Sequence, residues 1–309
     1  MITTIFSKSR PFNYVLVTLL LVVCFFLYQL KETEWLQHAD SIGKKAVLLI
    51  GLVASLFLSN FITKKNGLSK DNTYPFLFFF CFLILFPTTL GNPNLIISNF
   101  FIILALRRLI SLQSLVAPKE KIFDASLWIF LAALFHFWSI LFIVLVFVSI
   151  ALHVARDYRN WILPYIAFFT IATLYIAFVL LSETSLFEHL SDDATVSFDF
   201  DYFTNKYQNI AISFYAAITA LFLFSQIVSY PNKPLIHHNS YKKIILAFFI
   251  GFIIYLISPH KNNSILIYTF MPLAVMATSY FEGIKIKWTQ EVTAIIVVGL
   301  SFLSFFMQL

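Results

Sequence analysis

The feature that most constrains this chain is a succession of eleven apolar runs separated by short polar turns. They lie at 12–30, 46–62, 75–90, 95–105, 125–135, 138–154, 161–181, 210–228, 244–257, 264–280 and 292–309. A water-soluble fold has no place for that much contiguous apolar sequence. The expected fold class is therefore all-α, a polytopic transmembrane helical bundle with a span for each run. Composition agrees: hydrophobic types make up 60% and charged types 12% of the 309 residues, against about 45–50% and about 25% in soluble domains.

A straight helical crossing of a bilayer core takes about 17 residues or more. Several runs are shorter, which predicts tilted, kinked or re-entrant segments and helical hairpins. The length leaves no room for a separate soluble domain. Residues 1–309 thus read as one integral membrane domain with outer loops at 31–45, 182–208 and 258–263. Lys8 and Arg10 precede the first run and no small-x-small cleavage site follows it, so it reads as an uncleaved first helix. Cys24 and Cys81 fall inside apolar runs and read as small buried hydrophobes rather than a disulfide or a metal site.

Charge sets the expected orientation. With the N-terminus in the cytoplasm, sixteen of the 21 basic residues fall inside, and nine of the 15 acids fall outside. That asymmetry is the positive-inside pattern and predicts an N-in, C-out protein of the bacterial inner membrane. A net charge of +6, scattered along the chain, implies no nucleic-acid partner. One long helix over 125–154 would place Lys119 and Lys121 on the opposite side from Arg156 and Arg159. The polar interruption at His136 predicts a hairpin of two short helices instead, with His136 at its outer tip. The preceding pair of runs turns through Gly91-Asn92-Pro93-Asn94 and ends in Arg107-Arg108, a faint repeat of the same design.

Motifs of soluble chemistry are absent: no phosphate-cradling glycine loop, no His-Glu-x-x-His and no zinc-spaced cysteine pair. Chemistry is expected among polar residues at the outer face. Glu32 and Glu34, in the first outer loop with His38 and Asp40, suit a general base or a cation ligand, or simply solvate the loop. His136, between Phe135 and Phe137, is an ionisable group at membrane depth. It reads as functional or as a hydrogen-bond partner for a freed carbonyl. His260 and Lys261, in a turn with Asn262 and Asn263, suit a phosphate or mark the interface. Arg107 and Arg108 suit lipid headgroups or a polar cavity. In the longest outer loop, Asp199 and Asp201 alternate with Phe198, Phe200 and Tyr202, a pattern favouring an interfacial segment over a cation site. The His237-His238 pair near Pro234 reads as a cytoplasmic loop feature.

These residues carry two resemblances. A first helix followed by a loop with paired acids, Glu32 and Glu34, and then many short helices, resembles the C-type glycosyltransferases, which use polyprenyl-phosphate sugars at the outer face. The pair here is Glu-x-Glu without an Asp, and the loop is short for that family's interfacial helices. Arg107 and Arg108, followed by the run Leu131 to Ser139 with its embedded His136, are similar to membrane polymerases of surface polysaccharides over about fifty residues. The whole chain also looks like an uncharacterised bacterial membrane family that begins with the same short polar lead. The glycosyltransferase likeness implies catalysis by Glu32 and Glu34, and the polymerase likeness adds His136, Arg107 and Arg108. In an enzyme acting on a polyprenyl-linked sugar, His136 is then a positioning or acid–base group, and Arg107, Arg108, His260 and Lys261 are expected to bind the substrate's phosphate. The glycosyltransferase likeness implies no resident cofactor, although paired carboxylates leave room for a divalent cation. Two further classes fit the sequence: a transporter or flippase, and a non-catalytic subunit bound to other membrane proteins. The polar residues inside the runs carry no charge (Ser55, Ser59, Ser213, Thr219, Ser225, Gln226, Tyr268 and Thr269), which gives the transporter reading less support.

Overall fold

The structure, a computed structural model, describes residues 2–31, 39–182, 194–198, 205–259 and 261–309. Among them no strand occurs. The helices are α1 (Ile2–Phe6), α2 (Pro11–Gln29), α3 (Ala39–Lys65), α4 (Tyr74–Leu85), α5 (Pro93–Ser111), α6 (Pro118–Phe135), α7 (Ile143–His153) and α8 (Arg159–Ser182). They continue with α9 (Lys206–Ser229), α10 (Leu235–Ile257), α11 (Ile267–Gly283) and α12 (Lys287–Gln308). Eight are long and apolar enough to cross a membrane: α2, α3, α5, α8, α9, α10, α11 with its leading turn, and α12. That is the mark of a membrane protein.

Each of the eleven apolar runs falls on one of the helices α2–α12. Most of the short runs are the apolar middles of longer helices whose ends carry polar residues. The run at 95–105 lies within α5, and the run at 244–257 within α10. Prolines start several of these helices where a backbone N–H would be unpaired anyway, at Pro11, Pro93 and Pro118. Asn92 caps α5 by accepting from Leu95 N at 3.3 Å. The two shortest of the helices that carry apolar runs, α4 and α7, adjoin 3₁₀ turns, Pro87–Gly91 and Phe137–Phe142.

Contacts between loops sort the bundle into two ends. At the first-loop end, Gln29 Nε2 donates to Leu90 O (3.0 Å), Lys31 Nζ to Gln308 O (2.5 Å) and Asn263 Nδ2 to Gln208 O (3.1 Å). At the arginine end, Arg108 pairs with Asp124 (2.8 Å) and Lys119 with Asp157 (3.3 Å), while Tyr241 Oη donates to Leu68 O (3.1 Å). The chain passes between these ends once in every helix from α2 to α12. The Lys119–Asp157 pair also fixes the 125–154 stretch as a hairpin, since it joins the start of α6 to the chain just after α7.

The centre of the bundle is aromatic. All twelve residues of α4 are buried, and its phenylalanines pack on α9 and α11. Phe78 meets Phe281 at 4.7 Å between ring centres, and Phe86 meets Tyr215 edge-on at 5.3 Å. Cys24 and Cys81 are free and buried.

Candidate functional site

Two adjoining polar cavities, of about 320 and 210 Å³, open at the first-loop end. Both are lined by Asn92 and Asn262, so they form one groove. Local sequence explains its shape. Pro87 opens a 3₁₀ turn that closes at Gly91, where a Cβ would stand 3.1 Å from the Tyr28 ring; Asn92 then caps α5 across the gap. Asn262, on the facing loop, caps the turn before α11 by accepting from Ser264 N (3.4 Å). The larger cavity adds Gln29, Lys31 and Lys45, and the smaller adds Asn94, His136 and Ser264. Lysines and primary amides are the donor set that suits a phosphate and the hydroxyls around it.

His136 sits in the turn between α6 and α7, with extended backbone (φ −149°) that ends α6. Its Nε2 lies 3.1 Å from Ser258 Oγ, and its ring stacks on Tyr268 at 5.7 Å. Tyr268 Oη in turn donates to Ser98 Oγ (2.7 Å), which donates to Ala132 O (3.0 Å). The histidine is thus held by a hydroxyl and an aromatic face, rather than by a carbonyl freed at the turn. Burial holds its imidazole below the ordinary histidine range, which favours the neutral form.

Beside this groove lies a second, apolar one of about 360 Å³ between α6 and α8, lined by Phe130, Leu134, Phe137, Phe168 and Ile171. The two meet at a single turn. Leu134 and Phe137 face the apolar groove, and Phe135 and His136 face the polar one.

The residues singled out from sequence do not all converge. Lys261 stands at the first-loop end, largely buried, with its ammonium donating to Ser197 O and lying 5.8 Å from the Phe198 ring centre; it lines neither cavity of the polar groove. Glu32, Glu34 and His260 lie outside the described residues. Arg107 and Arg108 stand at the far end of α5, which runs helical from Pro93 to Ser111, so they do not share a site with His136. Arg108 engages Asp124, and Arg107 lies 5.1 Å from the centre of the Phe61 ring. Among the described residues no group of three His, Cys, Asp or Glu is placed to hold a metal.

Sequence reading missed Asn92, Lys45 and Ser258 as site residues. The signal for Asn92 was present, since it sits in the Gly-Asn-Pro-Asn turn, but that motif reads equally well as a plain helix break. What makes it a site is its meeting with Asn262, which no local pattern encodes.

Neither the curated proteins nor the solved structures contain a match to this chain. A family model does match, over residues 1–309, and the chain belongs to that family, a family of unknown function (DUF6427).

Proposed function

We propose that this protein sits N-in, C-out in the bacterial inner membrane, each helix from α2 to α12 crossing it, and works in surface glycan assembly. Its substrate in this reading is a polyprenyl-linked sugar, which it transfers or polymerises at the outer face, where the first-loop end lies. The observation that carries the reading is the junction at residues 134–137, where a polar groove with two lysines adjoins an apolar groove open between α6 and α8. A phosphate-bearing lipid has that division of character: a charged head for Lys31 and Lys45, sugar hydroxyls for the asparagines, and a chain for the apolar groove.

His136 then acts as a neutral positioning or acid–base group backed by Ser258. Glu32 and Glu34 follow Lys31 by one and three residues, which makes them the carboxylates assigned as base. His260 is assigned to the phosphate from the loop that also carries Asn262, and Lys261, which donates to Ser197 O outside both cavities, holds that loop in place. A divalent cation on the carboxylates belongs to the same reading, as does assembly with other membrane proteins.

The test is a gene deletion followed by mass spectrometry of polyprenyl-linked intermediates. The expected result is accumulation of one intermediate, relieved by the wild-type gene but not by His136→Ala or by the Glu32→Gln/Glu34→Gln pair. An unchanged lipid pool would sink the proposal and leave the transporter and subunit readings.

A further inference from the structure

A large cavity lies at the other end of the bundle. Its volume is about 640 Å³, and Lys65, Arg107, Arg108 and Lys121 stand in its wall with no carboxylate among the lining residues. Two other ion pairs form at this end, Lys64 with Asp71 at 3.1 Å and Lys119 with Asp157 at 3.3 Å. Here one neighbouring carboxylate, Asp124, engages Arg108 at 2.8 Å and leaves three more cations around the same space.

Like charges gathered at a cavity repel, and several features hold these in place. Lys121 Nζ donates to Ser111 O and to Ser114 Oγ, both at 2.8 Å. Arg107 and Lys65 share the Phe61 ring, at 5.1 and 5.2 Å from its centre. Lys121 stands in the first turn of α6, ahead of the apolar run that begins at Ala125. Burial, and then the nearby Arg108 and Lys65, hold its ammonium below the ordinary lysine range.

The backbone around the cavity is strained. Among the described residues, Leu115 (φ 55°) and Ala117 (φ 45°) are the two non-glycine positions in the left-handed region. They flank Val116, which lines the cavity. On the facing wall Gly67 has φ +66°, and a Cβ there would stand 2.9 Å from the His237 ring, whose buried Nδ1 has no hydrogen-bond partner. Four cations around one cavity, with a single carboxylate engaging one of them, supply the donors and the positive field that a phosphate-bearing anion requires.

We propose that this cavity binds a phosphate-bearing anion, through Lys65, Arg107, Arg108 and Lys121. The inference stands independently of the glycan reading, which concerns the opposite end. Two sources offer the same chemistry, an anionic lipid headgroup and a free phosphate or pyrophosphate, and the test separates them. Purified protein in nanodiscs of phosphatidylcholine is titrated with inorganic pyrophosphate while its unfolding midpoint is followed. In parallel, protein from nanodiscs containing phosphatidylglycerol is weighed by native mass spectrometry for retained lipid.

Saturable stabilisation by pyrophosphate identifies a site for free phosphate, and retention of phosphatidylglycerol without it identifies a headgroup site. In either case Lys65→Gln/Arg107→Gln is expected to weaken binding by about tenfold or more. Lys8→Gln/Lys70→Gln, which removes equal charge from the same end outside the cavity, leaves it unchanged. Equal weakening by both pairs, or no binding of either probe by the wild type, overturns the proposal. Should the first pair fail to fold, the exposed Lys65→Gln alone, read against Lys70→Gln, decides in the same way.

Discussion

The helices α4 and α11 on one side, and α8 and α12 on the other, are all strongly apolar, yet they occupy opposite environments. Every residue of α4 is buried, as is all of α11 except Tyr280, Glu282 and Gly283. By contrast α8 exposes Phe168, Phe169, Leu174, Ile176, Phe178 and Leu180, and α12 exposes Ile295, Ile296, Leu303 and Phe306. The most buried of the eight helices long and apolar enough to cross a membrane, α11, is also the least apolar of them by mean hydropathy. In water that ordering would be inverted. In a bilayer, lipid tails are as apolar as leucine, so burial is decided by close packing and by polar groups that need a partner. The polar side chains of α11 show this: Thr269 meets Tyr215 Oη at 2.5 Å, and Tyr268 meets Ser98 Oγ at 2.7 Å.

The sharpest way to break this comparison is to give two glycines the same substitution. Gly251 of α10 faces α11 so closely that a Cβ would stand 2.9 Å from Thr269 Cγ2 and 3.1 Å from the Tyr268 carbonyl carbon. Gly299 of α12 has nothing within 4 Å. Gly251→Val should therefore cost about 1–3 kcal/mol or prevent folding outright, because the neighbour on one side is backbone and cannot yield. Gly299→Val should leave the unfolding midpoint in detergent close to wild type. Similar losses at both positions would mean that α10 and α11 do not pack as closely as described.

How much of this was legible beforehand follows from the same physics. The eleven runs were readable because an apolar stretch of helical length has few alternatives, and the hairpin at His136 because an ionisable residue interrupts one. Which helices lie inside was not readable. The sequence of α4, YPFLFFFCFLIL, is apolar on all sides and carries no period from which a buried face can be read. The candidate site was half legible. His136 stood out as a charge-capable residue among phenylalanines, but its partners Ser258 and Tyr268 are more than a hundred residues away. The resemblance to polysaccharide polymerases groups Arg107 and Arg108 with His136, whereas the charge pattern puts them on the inner side. Helix α5 extends the apolar run before them at both ends and carries them to the other end of the bundle.

A smaller effect sharpens the same contrast. Thr269 Oγ1 donates to Leu266 O at 2.5 Å, so Tyr215 Oη is the donor in its bond to Thr269. Tyr215→Phe removes that donor and leaves ring packing against Phe86 and Phe270 intact. The expected loss is about 0.6 kcal/mol and no more than about 1.7, the average and the maximum for interhelical hydrogen bonds in a membrane protein, read as a lower midpoint for thermal unfolding.

The smallest effect belongs to the periphery. Phe169 of α8 is 65% exposed and touches Phe168 on its own helix at 5.6 Å. Phe169→Leu exchanges one lipid-soluble group for another, and the freed space is filled by lipid rather than left as a cavity. Its effect should stay within about 0.5 kcal/mol in lipid nanodiscs. A loss as large as that at Tyr215 would mean that α8 is covered by protein, whether a partner or another part of this chain. The size of this one small number thus separates a helix that faces lipid from one that faces protein.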